Sequence, residues 1–174
     1  MEYMPNGSLE KYVEKQKHGQ EISLSQRKQW VREAAEAVEL LHSRNVVHAD
    51  VGPQNFLLDA DLSLKICDFG GSSIDGSTAW VCPGSRYRLP SRELLGTIKE
   101  DLFSLGSTIY FIATGRKPYE ELADDQVAKL YADGVFPELT DVPFAKVIAL
   151  CWELEAESAT MIIELLRCEY ATNV

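Results

Sequence analysis

The sequence predicts a mainly α-helical domain, a helical bundle with a small β-hairpin insert near its middle. Three observations carry that prediction. Apolar residues recur at helical spacing on both sides of the insert, short strand-like runs cluster between Asn45 and Cys67, and the stretch from Asp68 to Leu95 is rich in Gly, Ser and Pro with little periodicity. No linker, internal repeat or low-complexity tract divides the 174 residues, a length that suits one domain.

The elements follow in order. Pro5-Asn6-Gly7 is turn chemistry, and Ser8 can cap a helix over Leu9 to Lys17 with Leu9, Tyr12 and Val13 on one face. Ser23 and Ser25 are candidate caps for a longer helix reaching Ser43, with Trp30, Ala34, Ala37, Val38 and Leu41 as its apolar stripe and the intervening Glu and Arg residues as a solvated face. Val46-Val47, Phe56-Leu57-Leu58 and Leu64-Lys65-Ile66-Cys67 read as strands, and Asp59-Ala60-Asp61 joins the last two as a hairpin turn. After the long loop, helices are predicted over Asp101 to Thr114, Leu122 to Asp133, Pro143 to Glu153 and Ser158 to Cys168; Gly115 and Pro118 stop the first of these.

Seventeen Lys and Arg against 27 Asp and Glu leave a formal charge of −10. That balance argues against nucleic acid as the main partner, because binding a phosphate backbone leans on clustered positive charge. No apolar run approaches the roughly 18–20 residues that span a bilayer, and nothing near Met1 resembles a signal peptide. Cys67, Cys82, Cys151 and Cys168 lie far apart, without the close pairs of a zinc or redox motif, and read as reduced thiols. The expectation is an acidic, cytoplasmic protein without a membrane partner.

Two charged, turn-rich clusters flank the β insert: His48-Ala49-Asp50-Val51-Gly52-Pro53-Gln54-Asn55 and Asp68-Phe69-Gly70. Each alone reads more readily as ordinary loop structure. Together they place Asp50, Asn55 and Asp68 at the two ends of one hairpin, since Asn55 enters its first strand and Asp68 leaves its second. Hard cations such as Mg²⁺ prefer carboxylate and amide oxygens, usually shared with substrate phosphates. Asp50 would sit nearby as a base or orienting carboxylate.

At this point the chain resembles the eukaryotic protein kinase family. His48-x-Asp50 with Asn55 matches the catalytic loop, and Asp68-Phe69-Gly70 matches the D-F-G motif. Glu2 to Leu9 resembles the hinge leading into the C-terminal lobe, and Tyr87-Arg88-Leu89-Pro90 the end of the activation segment. Asp101 to Gly106 resembles the start of the central helix of that lobe. Thr114 to Tyr119 and Cys151-Trp152 follow as in many kinases. The resemblance implies that residues 1–174 form a kinase-like C-terminal lobe, with residues 1–8 as the hinge. It implies ATP and Mg²⁺ as cofactors, Asp50 and Asn55 as catalytic residues, Asn55 and Asp68 as metal ligands, and Glu2, Met4, Leu57 and Asp68 as nucleotide-binding residues. Asp101 would brace the catalytic loop from beneath, and His48 and Phe69 would belong to a hydrophobic stack supporting the site.

The chain also departs from the family pattern. Nothing before Glu2 supplies a Gly-rich phosphate loop, a strand Lys or its Glu partner, so catalysis by the isolated chain is expected to be weak or absent, with surface near Met4, His48 and Phe69 exposed. Ala49 replaces the Arg that commonly precedes the catalytic Asp, which argues against the common phosphorylation switch. Gly52 stands where Ser/Thr kinases usually carry a Lys, while Pro53 fits the Ser/Thr-type loop better than the Tyr-type. Ser91 and Ala159 stand where a buried Glu–Arg pair is usual. Losing one member would strand a charge at about 3–5 kcal/mol; losing both leaves no orphan, although Glu93 is available as a substitute acid. Two functions follow: a kinase transferring the ATP γ-phosphate to a protein Ser/Thr hydroxyl, or a pseudokinase-like module that binds protein partners without catalysis.

Overall fold

The computed structural model describes residues 3–17, 19, 21–90 and 96–171. Glu2, Ser91 and Glu93 lie outside them. The first helix, α1 (Leu9–Gln16), starts where the Ser8 hydroxyl accepts the Lys11 N–H, and it buries Leu9 and Val13. In α2 (Leu24–His42) the cap is Ser23, whose hydroxyl accepts the Gln26 N–H. Its apolar stripe packs Trp30, Val31, Ala34, Ala35 and Val38 out of water. Glu33 departs from the expected solvated face: its carboxylate accepts the Leu64 N–H at 2.8 Å. The Trp30 indole N–H donates to the Leu62 carbonyl at 2.7 Å. These two bonds dock the β insert onto α2.

The insert holds β1 (Val46–Val47), β2 (Phe56–Leu58), β3 (Leu64–Ile66) and β4 (Ser73–Ile74). β2 and β3 form the expected antiparallel hairpin with Phe56 opposite Ile66. Its turn is set by Asp59, whose Oδ1 accepts the N–H groups of Asp61 and Ser63, and by Leu62 in the left-handed region at φ 61°. β1 pairs not with this hairpin but with β4, Val46 opposite Ile74. β4 lies inside the stretch read as loop. Two residues are too short for alternation to register, and β4 exists because β1 offers it a partner.

Four further helices follow among the described residues: α3 (Ile98–Thr114), α4 (Asp124–Ala132), α5 (Ala145–Trp152) and α6 (Ala159–Ala171). α3 begins three residues before the expected Asp101 because Thr97 and Glu100 close a reciprocal capping box. It ends as predicted at Gly115, left-handed at φ 73°. α5 starts later than Pro143 because Phe144 adopts φ 64° before the helix can begin. α3 is buried along nearly its whole length and is the axis of the core. At Gly106 it approaches α5 so closely that an added Cβ would lie 2.4 Å from the Cys151 Cβ. Arg27 of α2 donates its guanidinium to the carbonyls of Ile112 and Ala113, satisfying the C-terminal end of α3. α2 in turn packs against both α3 and α6. Ala159 is buried at the start of α6, with no charge there to strand.

Candidate active site

The loop between β1 and β2 is fixed by one carboxylate from α3. Asp101, 1% exposed, accepts the His48 N–H on Oδ2 at 2.8 Å and the Ala49 N–H on Oδ1 at 2.9 Å. The His42 Nε2 at the end of α2 lies 2.9 Å from the same Oδ2. His48 is itself fully buried and connects two segments. Its Nδ1 accepts the Asp50 N–H at 3.2 Å, so its Nε2 carries the proton and donates to the Cys67 carbonyl at 2.9 Å. His48 itself is buried, so the surface exposed near it belongs to Phe69. The Phe69 ring stands edge-on against it, centroids 5.3 Å apart, and it is Phe69 that faces outward, 45% exposed. Met4 is half-buried.

Asp50, Asn55 and Asp68 lie around this frame. Pro53–Asn55 forms a single 3-10 turn that swings Asn55 back under the loop. From there its Nδ2 donates to both the Asp50 carbonyl and Asp50 Oδ2, each at 2.8 Å. With the nitrogen so used, the Asn55 amide oxygen is the end left for another partner. Across the hairpin, the Cys67 N–H donates to the Asn55 carbonyl at 2.9 Å, which sets Asp68 one residue beyond the pairing. Asp68 turns out of the strand at φ 64°. Burial raises the Asp50 pKa above the usual carboxylate range; the Asn55 hydrogen bond opposes that rise and the Asp68 charge adds to it. The Cys67 thiol is pushed up by burial and by the adjacent Asp68.

The chain before α1 packs along β2. The Asn6 N–H donates to the Leu58 carbonyl, the Leu58 N–H donates to the Gly7 carbonyl, and Ser8 bridges Leu57. Met4 enters the turn before this pairing, its carbonyl accepting the Gly7 N–H at 3.2 Å. Sequence reasoning missed two contributors to this site. Gln54 hydrogen-bonds the Asp50 side chain and occupies the space above Gly52, where an added Cβ would meet its amide at 2.4 Å. Ser72 donates its hydroxyl to the His48 carbonyl at 3.1 Å. Gln54 stands inside the catalytic-type loop without a motif role of its own, and Ser72 is brought to that loop only by the fold.

The long loop crosses this region under several restraints. The Trp80 N–H donates to the Gly71 carbonyl at 2.9 Å, and Val81 packs where a Gly71 side chain would stand. Ala79 is buried, and a side chain on Gly96 would meet its Cβ at 2.9 Å. Further on, Arg86 is bound to Asp124 and to the carbonyls of Tyr119 and Leu122, and the Ser104 hydroxyl donates to the Tyr87 carbonyl at 2.5 Å.

A mainly helical lobe carrying a catalytic-type loop braced from α3 defines a kinase-like class of protein. The protein kinase domain profile matches residues 1–170, and the chain belongs to the protein kinase family. It is 29% identical to the RGS domain-containing serine/threonine-protein kinase A of Dictyostelium discoideum, over 95% of this chain and 15% of that protein. It is 29% identical to an Aurora kinase of Eremothecium gossypii, over 89% of this chain and 43% of that protein. The serine/threonine-protein kinase CTR1 of Arabidopsis thaliana is also 29% identical, over 95% of this chain and 22% of its own length. The chain therefore spans less than half the length of each of these relatives. No helix among the described residues is long and apolar enough to cross a membrane.

Proposed function

We propose that this chain is the C-terminal lobe of a kinase that transfers the γ-phosphate of ATP to a Ser or Thr hydroxyl of a protein. The observation that carries the reading is the double hydrogen bond from Asn55 to Asp50, with Asp68 at the facing end of the hairpin. Asp50 would orient the acceptor hydroxyl and take up its proton as the oxygen attacks phosphorus. Its pKa, raised by burial, suits it to that task better than an exposed carboxylate.

The donor chemistry fits Mg²⁺. The Asn55 amide oxygen and the Asp68 carboxylate are hard oxygen ligands, and two protein ligands suffice where phosphates and water complete the shell. Bound there, the ion would neutralise charge on the phosphates. Residues 1–8 would act as the hinge, with Met4 and Leu57 beside the adenine; the bonds joining Asn6 and Gly7 to Leu58 support that placement. Glu2 is assigned to the same nucleotide-binding set from its sequence position alone. The partner is a protein substrate.

Gly52 favours a second reading, a pseudokinase-like binding module, because Gln54 rather than a cation fills the space above it. One assay separates the two. Full-length protein is incubated with Mg²⁺ and ATP labelled at the γ-phosphate, with Asp68→Ala as the control. Label transferred to a protein substrate and lost in Asp68→Ala is the expected result. Nucleotide binding without transfer would replace the kinase reading by the binding module.

A further inference from the structure

Gly52 is a glycine that its backbone does not require. Its φ of −175° and ψ of 161° are extended, a conformation open to any residue, and it is buried. The reason for the missing side chain lies in what stands above it. An added Cβ would lie 2.4 Å from Gln54 Oε1, 2.6 Å from Nε2 and 2.8 Å from the carbon that joins them. Those atoms are the far end of a flexible side chain, so an alanine there would push the amide aside without breaking the loop. Position 52 can carry a side chain or admit the Gln54 amide, and this chain does the second.

The 3-10 turn Pro53–Asn55 brings the amide there. The buried Pro53 starts that turn, and the Asn55 N–H closes it by donating to the Gly52 carbonyl at 2.9 Å. In this place Gln54 is hydrogen-bonded to the Asp50 side chain. Asn55 Nδ2 already holds Asp50 Oδ2 at 2.8 Å. A carboxylate turns readily about its Cβ–Cγ bond, where the torsional wells are broad, and one hydrogen bond does not fix its plane. A second donor, from a different side chain, does.

We propose that Gln54 is a positioning residue and Gly52 its counterpart: the glycine leaves the space from which the Gln54 amide, together with Asn55, directs the Asp50 carboxylate at the acceptor hydroxyl. This neutral pair stands where Ser/Thr kinases usually carry a Lys, so the transferring phosphate meets no side-chain cation from position 52. The pairing of Gly52 with Gln54 and the grip on Asp50 are properties of the loop itself. Their use on a hydroxyl rests on the kinase reading above.

The test uses full-length protein in five forms: wild type, Gln54→Ala, Gln54→Glu, Gly52→Ala, and the Gly52→Ala/Gln54→Ala pair. kcat, the KM for ATP and the melting temperature are measured for each, and crystal structures of wild type and Gly52→Ala read the place of the amide. Gln54→Ala should lower kcat by about 10–100-fold, the scale of one hydrogen bond to a charged group, with the KM for ATP and the melting temperature unchanged. Gln54→Glu keeps the shape, offers no donor and adds a like charge, so it should fall at least as far. Gly52→Ala leaves residue 54 intact and should still lose the same factor, its crystal structure showing the Gln54 amide withdrawn from Asp50. The pair should lose no more than Gln54→Ala alone, because the alanine at 52 then has nothing to displace.

A wild-type kcat in Gln54→Ala would overturn the proposal, as would a fall in kcat matched by a fall in melting temperature. So would a pair whose loss is the product of the two single losses, or a Gly52→Ala structure in which the Gln54 amide still contacts Asp50. A wild-type protein that transfers no phosphate counts against the kinase reading alone, and the two crystal structures then decide the pairing of Gly52 with Gln54 by themselves.

Discussion

At Asp50 several influences of different sign meet on one carboxylate. Burial raises its pKa most, Asn55 lowers it through Nδ2, and the Asp68 charge raises it again. The consequence reaches stability as well as chemistry. An unfolded-state Asp titrates near about 3.9, so a folded-state pKa above that value means that ionising Asp50 costs folding free energy at neutral pH. That cost is fully present above the folded pKa and disappears as pH falls below the unfolded one. Asp50→Asn should therefore melt at a higher temperature than wild type at pH 7, with the gap closing as the pH is lowered towards about 3. Melting curves across that range check the sign. A variant less stable than wild type at pH 7 would show that Asp50 is a structural carboxylate.

At the scale of elements, the order of helices, hairpin and helices was legible because each rests on local signals. Ser8 and Ser23 cap α1 and α2, Asp59 turns the hairpin, and Gly115 ends α3. The start of α3 was missed although Thr97 and Glu100 spell a capping box, because the apolar run that draws the eye begins later. β4 was illegible in principle, since Ser73 and Ile74 owe their conformation to Val46 and Val47 about 27 residues earlier. In the site, Asp50, Asn55 and Asp68 could be singled out from spacing, and Asp101 from family resemblance. Ser72 and the His42 contact with Asp101 could not, because a hydrogen bond across the fold leaves no periodicity. The α3–α5 contact gives a clean element-scale prediction. Gly106→Ala forces a Cβ to 2.4 Å from the Cys151 Cβ in a fully buried layer. Overpacking of this kind should cost about 1–3 kcal/mol, measured as a drop in denaturation free energy. The neighbouring Cys151 thiol, its pKa pushed up to about 12 by burial, belongs to that same packed layer and has no titration to offer at neutral pH.

Over the whole molecule, the core and the site are one construction. α3 is the axis of the hydrophobic core and also supplies Asp101, so the packing that stabilises the fold is the packing that places the loop. The long loop is tied down by backbone bonds and close packing at Gly71, Val81, Ala79 and Gly96. Ala49, beside Asp50, offers no cation for a phosphate on that loop. The −10 charge has a consequence for the proposed activity: an anionic nucleotide would meet an acidic protein, so its binding should lean on the metal that the proposal assigns to Asn55 and Asp68. The division of labour among the three side chains is the central claim, and steady-state kinetics of Mg²⁺-dependent phosphoryl transfer tests it most directly. Asp50→Asn should lower kcat by about 10²–10⁴-fold with little change in the KM for ATP, while Asp68→Ala should abolish the Mg²⁺-dependent activity. An Asp50→Asn protein that turns over at the wild-type rate would contradict it.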